Sequence, residues 1–300
     1  MGARAIRGAR RAVLVTATVA VSLVPLGPRA TAGGGAARVV PSSLNPSSTE
    51  NKLNGVNAVS GTNAWAVGEY VDDTTHAHDT LILHWNGTKW SKVTSPNPGT
   101  QYNVLQAVRA VSAQNAWAVG NYVDDQGAYR TLILHWNGTK WSRVKSPDPS
   151  AGDSELNATS GASPTNGWAV GHFYYTPGLQ YATLTVHWNG HAWSKVASPS
   201  PGSSRNELTS VRAITVGDAW AVGQFLDDGL DIYRTLALHW NGTKWSQVKT
   251  PNPGDAGNSL AGVNATSSTD VWAVGQYSTG TGTPTETLIL HWNGHTWVQK

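Results

Sequence analysis

Residues 115–141 read NAWAVGNYVDDQGAYRTLILHWNGTKW. Two short apolar runs, 116–119 and 131–136, flank a polar loop, and Asn137-Gly138 follows the second run. An Asn-Gly pair supplies the two positive-φ residues of a tight hairpin turn, so the second run is expected to fold back on residues 139–145. Upstream, residues 105–112 alternate apolar and polar with the period of a half-buried strand. The stretch predicts four short strands: A (105–112), B (115–122), C (131–137) and D (139–145).

The same unit occurs five times. WAVG begins at Trp65, Trp117, Trp168, Trp220 and Trp272, at spacings of 52, 51, 52 and 52 residues, with a Leu twelve residues before each. His-Trp-Asn-Gly recurs at His84, His135, His187, His239 and His291, and each unit ends in a third Trp, which accounts for all 15. Four strands per repeat of this length is the mark of a propeller blade, whereas helical repeats would carry a 3.6-residue period that is absent here. The expected fold is all-β, a five-bladed β-propeller with repeats at about 53–104, 105–155, 156–207, 208–259 and 260–300. A parallel solenoid is the competing arrangement, though its coils are usually shorter and poorer in hairpin turns. Pro46 lies seven residues before Leu53, as Pro98 lies seven before Leu105. Within the 33–52 N-terminal segment, residues 38–46 are therefore expected to dock beside blade five and close the ring, since an open ring exposes an edge.

The first 32 residues read as an export signal. Arg4, Arg7, Arg10 and Arg11 precede the apolar run 12–26, and Ala30-Thr31-Ala32 is a small-residue cleavage site. Arg10-Arg11 leaves the twin-arginine route open beside the ordinary secretory one. Five of the 21 Lys and Arg lie in this segment, which leaves 16 against 18 acidic residues and a formal charge of −2 for the mature chain. The basic balance therefore belongs to the signal, and no nucleic-acid partner or membrane insertion is expected after its removal. Zero Cys excludes a disulfide framework, a thiolate metal site and a Cys nucleophile.

The hairpin His84-Trp85-Asn86-Gly87-Thr88-Lys89-Trp90 and its copies resemble the Asp-box of sialidase-like propellers, with Asn in the Asp place and a turn one residue shorter. WAVG with this hairpin is also similar to photosystem-assembly propellers of the Asp-box type. As a whole, residues 53–300 resemble secreted bacterial WAVG/HWNG-repeat proteins. These resemblances imply a fold and carry no activity; Kelch repeats match less well, because their paired glycines are missing.

A residue copied into every blade marks scaffold, so the repeated Trp and His are assigned to the interfaces between blades, each His bonding backbone. Function is expected where the copies differ. In an up-and-down blade the A–B and C–D turns lie on one face of the disc, and the B–C and D–A connections lie on the other. The B–C loops from Val71, Val123, Tyr174, Leu226 and Ser278 are long and divergent, and Pro-x-Pro pairs stiffen the D–A loops. At the loop-bearing end of each strand B stands a polar residue beside an aromatic: Glu69-Tyr70, Asn121-Tyr122, His172-Phe173, Gln224-Phe225 and Gln276-Tyr277. Hydrogen-bonding groups beside an aromatic face suit a sugar, so these ten residues are the candidate ligand site, against a reading in which the aromatics are core. Tyr129, Tyr174, Tyr175, Tyr181 and Tyr233 add contact candidates.

Asp72-Asp73, Asp124-Asp125 and Asp227-Asp228 lack calcium-loop spacing and are expected to be solvated turns. No metal site and no cofactor is expected. No singular catalytic cluster is visible: of five Glu only Glu69 adjoins a WAVG segment, and Arg109 and Arg212 share a strand-A position with no third copy. The expected function is a secreted, extracellular, non-catalytic binding module for an extracellular or cell-wall glycan, acting as a monomer. The alternatives are a scaffold for a surface protein and, below it, a sialidase-like glycoside hydrolase.

Overall fold

The computed structural model describes residues 44–175, 178, 180–280 and 284–300. The expected export signal, residues 1–32, and residues 33–43 lie outside them.

Five antiparallel sheets of four strands, each in sequential order, form the blades of a β-propeller. Blade one holds β1 (Asn51–Ser60), β2 (Asn63–Val71), β3 (His78–Trp85) and β4 (Trp90–Lys92). Blade two holds β5 (Asn103–Ser112), β6 (Asn115–Val123), β7 (Tyr129–Trp136) and β8 (Trp141–Val144). Blade three holds β9 (Ser154–Ser163), β10 (Asn166–Tyr175), β11 (Gln180–Trp188) and β12 (Trp193–Val196). Blade four holds β13 (Asn206–Thr215), β14 (Asp218–Asp227), β15 (Ile232–Trp240) and β16 (Trp245–Gln247). Blade five holds β17 (Gly257–Ser267), β18 (Asp270–Ser278), β19 (Glu286–Trp292) and β20 (Trp297–Gln299). The sequential antiparallel order excludes a parallel solenoid. The A strands β1, β5, β9, β13 and β17 touch from blade to blade, so they line the axis.

Local chemistry sets each strand. In the C–D turn Gly138 has a φ of 95°, and Asn137 Oδ1 accepts the N–H groups of Thr139 and Lys140 at 3.0 Å. Asn86, Asn189, Asn241 and Asn293 close their turns in the same way. The WAVG glycine permits close pairing of strands A and B: a Cβ on Gly120 would lie 2.0 Å from the Val104 carbonyl oxygen. In each D–A loop the residue between the prolines reaches back to strand C. Asn97, Asp148, Ser200 and Asn252 accept the N–H groups of Thr80, Thr131, Thr183 and Thr235 at 2.8, 2.8, 3.0 and 2.7 Å.

The core lies between blades. One face of blade one, Trp65, Val67 and Ile82, packs on Leu105, Ala118, Leu132, Leu134 and Trp141 of blade two. The pattern repeats between blades two and three, three and four, and four and five. Each WAVG Trp packs on the His of its own blade, and those of blades one to four also meet two Trp of the next: Trp168 lies 4.5 Å from His187 and 4.9 Å from both Trp240 and Trp245. The His residues depart from expectation in their partner. His135, His187, His239 and His291 bond the side chains of Asn115, Asn166, Asp218 and Asp270, because the stacked ring directs its Nε2 to the residue that opens strand B rather than to backbone.

Closure of blade five on blade one is not seen among the described residues. No apolar cluster joins them, and the faces that would meet are open: Trp272 is 40% exposed where Trp220 is 0%, and Leu53 is 49% exposed where Leu105 is 0%. Leu44 packs against Ala66, Leu81 and Leu83 of blade one.

Candidate functional site

Successive residues of a strand point to opposite faces, and this divides the expected site in two. The aromatic member of each pair faces the preceding blade and is packed. Phe173 is buried in the second inter-blade cluster, while Tyr122, Phe225 and Tyr277 pack on the first, third and fourth. Tyr70 is buried with Leu81 and Leu83. A cation covers the outer side of three of them, Lys92 Nζ over Tyr70 at 3.9 Å, Arg143 over Tyr122 at 4.6 Å and Lys195 Nζ over Phe173 at 4.0 Å. The polar member faces the following blade, so the two members of a pair point to opposite faces of their strand, although at blade five Gln276 and Tyr277 both line one pocket.

The polar members instead join residues from strands A and C in a strip along the loop-bearing end of each interface. Pairing places Lys52, Val104, Glu155, Glu207 and Ser259 of the A strands opposite Glu69, Asn121, His172, Gln224 and Gln276. His78, Tyr129, Tyr181, Tyr233 and Thr285 take one place near the start of strand C, two residues before its first Thr. The D–A loop then lays one residue of the next blade over the strip: Tyr102, Asp153, Arg205 and Gly257 at the four interfaces between successive blades.

Every interface has its own chemistry. At the first, buried Glu69 accepts from His78 Nδ1 at 2.9 Å with Lys52 Nζ at 3.7 Å, and the Tyr102 ring lies 5.0 Å from the His78 ring. Burial, then the charge of Glu69, pushes the Tyr102 phenol well above its usual range. At the second, Asp153 Oδ1 accepts the Tyr129 N–H at 3.1 Å and the Tyr181 hydroxyl donates to Oδ2 at 3.3 Å. At the third, His172 Nε2 lies 3.5 Å from Glu155 Oε1 and its ring meets Tyr181 edge-on at 5.3 Å, with Arg205 5.7 Å from Tyr181. Burial alone would lower the pKa of His172, but Glu155, assisted by Glu207, outweighs it and raises that pKa. Glu207 is itself held by the side-chain amides of Asn157 at 3.3 Å and Gln224 at 3.5 Å.

The fourth interface is open. Gly257 stands where Tyr102, Asp153 and Arg205 fill the other strips, and nothing lies within 4 Å of a Cβ built on it. A pocket of about 210 Å³ results, lined by Gln224, Tyr233, Asn258, Ser259, Gln276 and Tyr277 among others. Three of the ten expected residues, Gln224, Gln276 and Tyr277, meet here. Glu155, Glu207 and Gly257 were missed; reading the A-strand partner of each polar residue would have found the first two.

The remaining candidates serve the frame. Asp72 and Asp124 cap their own B–C turns, Asp72 through Thr74 and Thr75, Asp124 through Gln126 and Ala128 and an ion pair with Arg130 at 2.6 Å. Asp73 and Asp228 tie the B–C loop to the D–A loop through Ser47 and Ser48, and through Ser203 and Ser204. The serine hydroxyls hold the Asp228 carboxyl at about 2. Arg109 and Arg212 donate to carbonyls of the next blade, Gly161 at 3.1 Å and Ala265 at 3.4 Å, and are thus straps between blades. Burial, then the charge of Arg212, lowers the pKa of Arg109.

No family model and no curated protein matches the chain. Solved β-propellers do. The chain is similar to a chain of the COPII outer coat vertex on membranes (TM-score 0.51, 9% identity, 84% of this chain and 61% of that one). It is also similar to YCF48 bound to D1 peptide (TM-score 0.47, 14% identity, 83% and 66%). A glycosyl hydrolase from Bacteroides ovatus is a third (TM-score 0.42, 8% identity, 87% and 94%). The chain thus spans about two thirds or less of the first two. Its propeller neighbours include glycoside hydrolases and coat or peptide-binding proteins, and at these identities the likeness concerns the fold alone.

Proposed function

We propose that the mature chain is a secreted, non-catalytic binding disc that recognises an extracellular or cell-wall glycan on the face carrying the B–C and D–A loops. The observation that carries this reading is the pocket over Gly257. Its wall offers three primary amides, the hydroxyls of two serines and a threonine, and two tyrosines, a set that matches sugar hydroxyls and the C–H face of a pyranose ring. It holds no carboxylate pair, the arrangement that glycosidic cleavage uses, which favours retention of a neutral sugar over its hydrolysis. The export signal gives this disc its place outside the cell.

The test is binding of residues 33–300 to an array of glycans and insoluble polysaccharides, followed by calorimetry with Gln276→Ala and Tyr233→Ala. Each loss of a hydrogen bond or stacking face is expected to weaken binding about fivefold to tenfold, the equivalent of about 1–1.4 kcal/mol, with the melting curve unchanged. A folded chain that binds no glycan at all would sink the proposal and leave the surface-protein scaffold as the reading to pursue by pull-down.

A further inference from the structure

We infer that the ring closes on itself, with the N-terminal stretch around Asn45 and Asn51 acting as the fifth D–A loop and clamping blade five as the four internal loops clamp their blades. The inference does not depend on the glycan reading. It rests on two half-interfaces that carry the parts of one complete interface.

The first half is blade five. Thr80, Thr131, Thr183 and Thr235 are buried beneath the loop side chains that accept their N–H groups, whereas the equivalent Thr287 is exposed. Trp272 stacks on His291 at 4.2 Å, as Trp220 stacks on His239 at 4.5 Å, yet it lacks the two further indoles that Trp220 finds in Trp292 and Trp297. Val274 and Ile289, on the same face, are exposed although their counterparts Val67 and Ile82 are fully buried.

The second half is blade one with the segment before it. Trp85 and Trp90 already hold the tilted arrangement, 5.9 Å apart, of the Trp136–Trp141 pair that receives Trp65. Ser47 N–H donates to Asn51 Oδ1 at 3.0 Å and Asn51 Nδ2 donates to the Ser47 carbonyl at 2.7 Å. The internal loops use the same reciprocal pair: Gly99 with Asn103 at 2.7 and 2.8 Å, and Gly254 with Asn258 at 2.8 and 2.8 Å. In those loops the amide also donates to strand C of the preceding blade, at His78 (3.0 Å) and Tyr233 (3.3 Å). By register the fifth partner is the Thr285 carbonyl, and Asn45 stands where Asn97 and Asn252 accept a threonine N–H. The fifth loop is thus already folded for its partner. Leu44 covers the patch that Val274 and Ile289 would fill, so closure exchanges Leu44 for them. It also builds a fifth strip, in which Glu50 takes the place of Tyr102 over Ser259, Gln276 and Thr285.

Because the chain has no Cys, introduced thiols report without background. The experiment oxidises the double variant Asn45→Cys/Thr287→Cys at low protein concentration beside the internal control Thr80→Cys/Asn97→Cys, which has the same register. Closure is expected to give an intrachain disulfide in both, with comparable yield. Free thiols at 45 and 287 beside a linked control would overturn the inference in favour of an open seam. A disulfide between chains would overturn it in favour of a second copy seated on blade five. Hydroxyl-radical footprinting of the unmodified mature chain reads the same question without substitutions: closure requires Trp272 to oxidise as slowly as Trp220, and oxidation at the rate of an open surface indole rejects closure even if the control fails to link.

Discussion

The two ends of strand B differ in how far the blades share their chemistry. At one end, Trp65, Trp117, Trp168 and Trp220 sit in the same dry nest of one His and two Trp. At the other, about four residues along the same face, Glu69, Asn121, His172 and Gln224 each meet a different set of neighbours. The Trp end is enclosed by the next blade, so any change there leaves a void or an unpaired polar atom. The polar end is covered by one residue of a divergent D–A loop, which lets the copies diverge without loss of the frame. The repeated frame and the chemistry that varies between blades are therefore carried by one strand, separated along its length.

The comparison breaks most severely if the dry nest is emptied. Trp168→Ala removes a fully buried indole between blades three and four and is expected to cost about 3–5 kcal/mol in chemical denaturation of residues 33–300. A loss below about 1 kcal/mol would mean that the interface re-forms around the void, and that the nest does not hold the blades together. Gly171→Ala tests the middle of the same strand. The new Cβ would lie 2.0 Å from the Glu155 carbonyl oxygen, so strands A and B must separate, at an expected cost of about 1–3 kcal/mol. That shift also moves Glu155 against His172, so the variant should alter the pH response discussed below, whereas Trp168→Ala should leave it in place.

How far the sequence was legible follows the same division. Five copies of WAVG and HWNG announce the blades, because repetition and Asn-Gly turns are local signals. The polar residues of strand B were legible because they follow a fixed motif. Their partners were not: Glu155 meets His172 across a strand pairing, and Gly257 matters only because three other interfaces place a side chain at its position. The pairing of each polar residue with its aromatic neighbour misled, since adjacent residues of a strand face opposite ways. The open seam was equally hidden, because each half-interface repeats the internal motifs and only their spatial separation sets them apart.

The smallest expected effect sharpens the contrast by titration. At the Trp end, burial lowers the pKa values of His84, His135 and His187 below the usual imidazole value of 6.5. Their folded forms favour the neutral ring, so the stability they contribute is complete above 6.5 and is lost as pH falls through the folded pKa. At the polar end His172 is raised above 6.5 despite its burial, through Glu155 and Glu207. Its contribution is complete below 6.5 and is lost as pH rises through the folded value. A series of urea midpoints between about pH 5 and 8 should therefore show opposing limbs, an acid decline from the repeated histidines and an alkaline decline from His172. Glu155→Gln keeps the shape of the side chain and removes its charge, so the alkaline limb should flatten while the acid limb stays. If Glu155→Gln left both limbs intact, His172 would not be held by that carboxylate, and the strip of the third interface would not rest on an ion pair.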